Sequence, residues 1–106
     1  MIEGDAKDSV YDRRHAVRDM VDHRARAVLP NGTELALRII NISPGGLMAR
    51  CDRDIAPGEC IGIDLPVAGT VSARIKWSLD GRIGCRFDTE FAPLDFEAVL
   101  TVMRIR

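Results

Sequence analysis

Two short clusters hold the residue types best suited to chemistry. The first is Arg13-Arg14-His15-Ala16-Val17-Arg18, and the second is Asn41-Ile42-Ser43-Pro44-Gly45-Gly46. A guanidinium is a planar fork. It makes paired hydrogen bonds to phosphate oxygens or to O6 and N7 of guanine, and it stacks on flat rings. Asn41 can both accept from and donate to a base edge, Ser43 offers a small hydroxyl, and Gly45 and Gly46 let a ligand approach the backbone closely. Together they suit an anionic, hydrogen-bonding ligand of nucleotide type. Each half also has a plainer reading. A short basic run is commonly a solvated face, and Asn and Ser beside a proline-glycine turn commonly cap backbone groups.

Whether the clusters meet depends on the elements between and behind them. From Asp22 to Leu29 the chain alternates, with Arg24, Arg26 and Val28 opposite Ala25, Ala27 and Leu29. Alternation is the strand signature, because successive side chains face opposite sides of a sheet. Asn31-Gly32 tolerates the positive φ angles of a tight hairpin turn. Glu34 to Asn41 alternates again with Leu35, Leu37 and Ile39 on one face, so one hairpin separates the two clusters. Further strands are predicted over Leu47–Cys51, Cys60–Leu65, Thr70–Leu79 and Arg82–Phe87, with Pro57-Gly58 and Asp80-Gly81 as turns. In the longest, Val71, Ala73, Ile75, Trp77 and Leu79 share the face assigned to the core. At the end the period changes: Pro93 suits a first helical position, and Phe96, Val99, Leu100 and Met103 form an amphipathic stripe. The expectation is all-β with one C-terminal helix, a six-stranded antiparallel sheet closed into a barrel so that no edge is left open.

Bulk properties remove several classes. A 106-residue chain is one domain. A formal net charge of −1 argues against DNA or RNA as a partner through a generally basic surface. No run is long enough to span a membrane, and residues 1–12, acidic and without an apolar core, read as a flexible tail rather than a secretory signal. A cytoplasmic location follows. Cys51, Cys60 and Cys85 form no Cys-x-x-Cys pair and read as buried, reduced thiols. His15 and His23 have no companions at metal-ligand spacing, so no metal is expected. No nucleophile-base arrangement and no carboxylate pair suggests catalysis, so neither an enzyme nor a cofactor is expected.

The two clusters also form a signature. Arg14-x-x-x-Arg18 followed by Asn41-x-Ser43-x-x-Gly46 resembles the paired motif of PilZ domains, receptors for cyclic di-GMP. The likeness extends over about Arg13 to Met103, including the Asn-Gly hairpin, Pro57-Gly58 before a strand, Ala73-Arg-Ile-Lys-Trp77 and Ile83-Gly-Cys-Arg-Phe87. The resemblance implies a PilZ-type six-stranded barrel in a single-domain, stand-alone member: an arginine arm at 13–19, a barrel at 22–88 and a helix at 93–103. It implies that Arg14 and Arg18 grip guanine and phosphate while Asn41, Ser43 and Gly46 hold another guanine edge, with Gly45 beside them. An arginine at position 13 is similar to members that bind an intercalated pair of cyclic di-GMP molecules, where an added guanidinium offsets phosphate repulsion. Binding would order the arm and signal to a protein partner that the sequence does not identify. Asn41 stands where Asp is common. The alternative implied by the family is a protein-interaction module that binds no nucleotide.

Overall fold

The computed structural model describes residues 18–104. The tail at 1–12 and the arginines at 13 and 14 lie outside the described residues. Six strands form: β1 (Asp19–Val28), β2 (Glu34–Ser43), β3 (Gly46–Cys51), β4 (Cys60–Leu65), β5 (Gly69–Leu79) and β6 (Arg82–Phe87), followed by helix α1 (Pro93–Met103). They close in the order β1-β2-β3-β6-β5-β4, every pairing antiparallel. The expected barrel with one C-terminal helix is therefore the observed fold. β1 begins at Asp19, three residues before the alternation becomes legible as a strand.

Inward side chains, chiefly Leu37, Ile39, Ile42, Leu47, Ile61, Ile63, Ile75 and Ile83, fill the barrel as one buried cluster. Burial at roughly 25 cal/mol per Å² of apolar surface is the main source of stability in such a core. Helix α1 adds Phe96, Val99, Leu100 and Met103 to the same cluster, as its stripe predicts. An aromatic chain leads into the helix: Phe87 meets Phe91 edge-to-face with centroids 5.2 Å apart, and Phe91 lies 6.4 Å from Phe96. Arg104, just beyond the helix, donates to Asp19 Oδ1 at 3.0 Å and ties α1 to the start of β1.

Turns follow the local chemistry with one adjustment. Asp80 and Gly81 both take positive φ, 54° and 76°, as a two-residue hairpin of primed type requires. At the first hairpin only Gly32 does so (91°), and Leu29 and Thr33 close the loop, with Leu29 N–H donating to Thr33 and Gly32 N–H to Leu29. The loop is thus Pro30-Asn31-Gly32, with Asn31 in ordinary backbone geometry.

Three register shifts change the inside-outside assignment. They fall between Met20 and His23 on β1, between Ile39 and Asn41 on β2, and between Ile75 and Trp77 on β5. A bulge inserts one residue and reverses the parity of everything after it. The expectation that Trp77 and Leu79 continue the core face is overturned for this reason: they are 41% and 66% exposed. Cys60 also departs from expectation. Cys51 and Cys85 are buried, but Cys60 is exposed, because Ile61, Ile63 and Leu65 take the inward phase of β4. Burial pushes the Cys85 thiol up to about 12, against smaller downward pulls from the Leu47 backbone and the Arg18 charge.

Gly46 is needed for closeness rather than for its backbone angles, since its φ is not positive. A Cβ there would overlap the backbone carbonyl of Cys85 on β6. Gly46→Ala should therefore cost about 2 kcal/mol of unfolding free energy, as forced overpacking does; denaturant unfolding at wild-type stability would contradict the tight β3-β6 approach. With iodoacetamide at pH 9, Cys60 alone should alkylate in the folded protein, and peptide mapping that finds Cys85 modified equally fast would contradict its burial.

Candidate functional site

The bulges create a row of outward positions running Met20–Asn41–Met48–Gly84–Trp77 across five strands. Without the shift in β2, Asn41 and Ser43 would share the parity of Leu35, Leu37 and Ile39 and enter the core. With it, Ile42 takes the inward place at 0% exposure, and Asn41 and Ser43 turn to the outer face. The next outward row is Ser43–Gly46–Arg86–Arg74. One backbone device thus moves two of the sequence-predicted residues out of the core and onto one surface.

Arg18, immediately before β1, reaches that surface: its Nη1 donates to Asn41 Oδ1 at 3.3 Å. Arg18 of the first cluster and Asn41 of the second, separated by a hairpin in sequence, are in contact in space. Ser43 is 2% exposed, and its hydroxyl donates to the Gly46 carbonyl at a long 3.4 Å, so little is lost if it turns to another acceptor. The Pro44-Gly45 turn is clipped down by two backbone bonds, from Phe87 N–H to Gly45 and from Phe91 N–H to Pro44, at 2.8 and 2.9 Å. These bonds use the turn's carbonyls and fix Gly45 against the segment leading to α1.

These residues border a cleft of about 420 Å³. Arg18, Ser43, Gly45 and Gly46 line it from the start of β1 through the start of β3, β5 and β6 supply Lys76, Trp77 and Arg86 as the far wall, and Glu90 lies beside Gly45. Asn41 sits behind Arg18 as its hydrogen-bond partner. Arg13 and Arg14 lie outside the described residues. Sequence reasoning missed the far wall. The sequence assigns Trp77 to the core face and gives Lys76 and Arg86 no role. The available signal was Gly84, a glycine inside an otherwise regular strand. A Cβ there would collide with the Trp77 indole, so the ring covers a position that only glycine leaves open.

Chemically, the cleft offers an uncommon combination. Arg18, Lys76 and Arg86 supply positive charge for phosphate oxygens and Trp77 a flat π-face at the rim, with the Asp88 and Glu90 carboxylates also in the lining and the Asn41 amide behind Arg18. Its size lies within the range of small-molecule sites. Two wider depressions, of about 720 and 750 Å³, lie at the Asn31/Pro57 end and over the outer face of β1 and β2. Among the described residues, no group of three or more His, Cys, Asp or Glu could hold a metal ion. Nor is any helix there long and apolar enough to cross a membrane.

Comparison with known proteins bears on the fold and the family. No curated protein sequence matches the chain. Among solved structures it is similar to the PilZ domain of CeSA from a cellulose-synthesizing bacterium, with a TM-score of 0.61, 15% identity, and coverage of 82% of this chain and 94% of that one. It is also similar to the PilZ domain of YcgR from Escherichia coli, determined with c-di-GMP, at TM-score 0.54 and 16% identity over 82% of this chain and 86% of that one. At these identities the likeness is one of fold. The family profile described as PilZ domain matches residues 12–101, nearly the whole chain, so the protein belongs to the PilZ domain family.

Proposed function

We propose that this protein is a non-catalytic receptor for the bacterial second messenger cyclic di-GMP, acting in the cytoplasm. The observation that carries this reading is the Arg18–Asn41 contact at the edge of a cleft that also holds Ser43, Gly46, Trp77 and Arg86. It joins both halves of the motif beside groups suited to phosphate and to a flat base. The YcgR domain with c-di-GMP has the same fold, which supports the choice of ligand.

In this reading Arg18 exchanges its 3.3 Å bond to Asn41 for guanine or phosphate atoms. The exchange is inexpensive, because the bond is long and lies at a partly exposed position. Asn41 then presents its amide to a guanine edge beside Ser43 and Gly46, with Gly45 fixed against the barrel. Arg14 and Arg13 close from the arm, and Arg13 offsets the phosphate repulsion of a second stacked ligand molecule. Trp77 offers its exposed face to a base, and Arg86 completes the positive wall. The arm is ordered by the ligand, which changes the surface offered to a protein partner.

Calorimetric titration with cyclic di-GMP should show saturable binding with a ratio of two ligands per chain, falling toward one in Arg13→Ala. Arg18→Ala should weaken binding by roughly 10- to 100-fold, the worth of a charge-assisted hydrogen bond. No binding at about a hundred micromolar ligand would contradict the proposal and favour a protein-interaction module instead. Trp77 is the one tryptophan, so ligand should change intrinsic fluorescence, and Trp77→Ala should cost about 1–3 kcal/mol of binding, the value of base stacking. Asn41→Asp should tighten binding by roughly tenfold, because a carboxylate accepts both guanine N–H groups with charge assistance; an unchanged constant would place the guanine edge elsewhere.

A further inference from the structure

A second outward row runs parallel to the site row, two residues away along β3 and β6. The registers place Arg24 opposite Arg38, Arg38 opposite Arg50, and Arg50 opposite Arg82. Four neighbouring strands thus carry arginine at the same level, and all four side chains are exposed. Like charges directly opposite one another destabilise a sheet. The chain as a whole is slightly anionic, so the row is a local concentration of positive charge and not part of a basic surface. None of the four lines the nucleotide cleft.

Among the described residues, one of the four is neutralised. Arg38 holds Asp22 side-on, Nε to Oδ1 at 2.8 Å and Nη2 to Oδ2 at 2.9 Å. Arg24, Arg50 and Arg82 make no ion pair among the described residues. Arg24, Arg38 and Arg50 line one groove together with Arg26, on a floor that includes the small side chain of Ala36. The Asp22 pairing shows what this row accepts: a planar carboxylate, gripped through two parallel N–H bonds. Glu34 and Asp52 stand in the same groove and oppose a continuous phosphate backbone, whereas a protein segment can set its own polar or basic side chains against them.

We infer that the arginine row across β1, β2, β3 and β6 is a docking surface for an acidic segment of a protein partner, its carboxylates pairing with Arg24, Arg50 and Arg82. This deepens the proposed function and rests on it for the existence of a partner, but the row is separate from the residues assigned to the ligand. Its position one row from Asn41 and Gly84 places partner and nucleotide on adjoining strips of the same strands.

The test uses the full chain and a fluorescein-labelled, glutamate-rich peptide read by anisotropy, with a single-stranded oligonucleotide of equal charge as the comparison. The wild type should bind the peptide more tightly than the oligonucleotide, with affinity falling as salt rises. Arg24→Gln/Arg50→Gln should lose roughly tenfold or more in peptide affinity. The charge-matched control Arg74→Gln/Arg104→Gln, whose side chains bond to Gly58 and Asp19 and not to the groove, should lose little. Cyclic di-GMP affinity of the row variant should be unchanged, which separates failure here from failure of the nucleotide reading. Equal losses in the two double variants would mean non-specific attraction and overturn the proposal. Tighter binding of the oligonucleotide would overturn it in favour of nucleic acid. A full chain that takes the peptide only after residues 1–12 are removed would assign the row to the chain's own acidic segment and also overturn it.

Discussion

The pleat of a β-strand sets the constraint on which this molecule depends. Alternate side chains face opposite sides, so a strand that supplies the core with Leu35, Leu37 and Ile39 cannot, without interruption, also put Asn41 and Ser43 on the surface. The register shift between Ile39 and Asn41 supplies the interruption. Matching shifts on β1 and β5 bring Met20 and Trp77 to the same outer row. A bulge costs ladder hydrogen bonds and bends its strand, yet these three stand in one band of the barrel, beside the cleft. Core residues continue on both sides of the band, with Ile39 and Ala49 above it and Ile42 and Leu47 below, while the outward parity changes across it.

Two close approaches hold that outer surface in shape. Gly46 lets β3 lie against the Cys85 carbonyl of β6, and Gly84 leaves room for the Trp77 ring. Backbone bonds from Phe87 and Phe91 then clip the Pro44-Gly45 turn to the segment entering α1, and the Phe87–Phe91–Phe96 contacts anchor that segment in the core. One wall of the cleft is thus braced by packing and by main-chain hydrogen bonds. Arg18 is braced less: it is exposed, precedes β1, and touches the wall through one 3.3 Å bond. A fixed wall beside a less constrained cation lets Arg18 change partners without disturbing the barrel.

Much of this was legible in the residues. Alternation located the strands, Asp80-Gly81 gave a hairpin, Pro93 and the Phe96-Val99-Leu100-Met103 stripe gave the helix, and Arg18 was paired with the Asn41/Ser43/Gly46 surface that it meets. Parity was legible only until a bulge reversed it. Nothing in Ile39-Ile40-Asn41 or Ile75-Lys76-Trp77 marks the inserted residue, since a bulge depends on which residue the partner strand places opposite, a non-local fact. Trp77 and Leu79 continue the inward alternation in sequence and lie outside in the barrel for that reason. Cys60 is a different case: its own alternation with Ile61 already placed it outside, and the general tendency of cysteine to be buried obscured that.

The most direct test of the site is a nitrogen-15 NMR titration of the 106-residue chain with cyclic di-GMP, following every backbone amide and the Trp77 indole. If the bulge-placed surface is the binding site, the largest shifts fall on Arg18–Met20, Asn41–Gly46, the Trp77 indole and Gly84–Arg86. The inward strands and the Asn31/Pro57 end should stay still. Shifts centred on that far end, or none at saturating ligand, would contradict the assignment of these residues to a single nucleotide site.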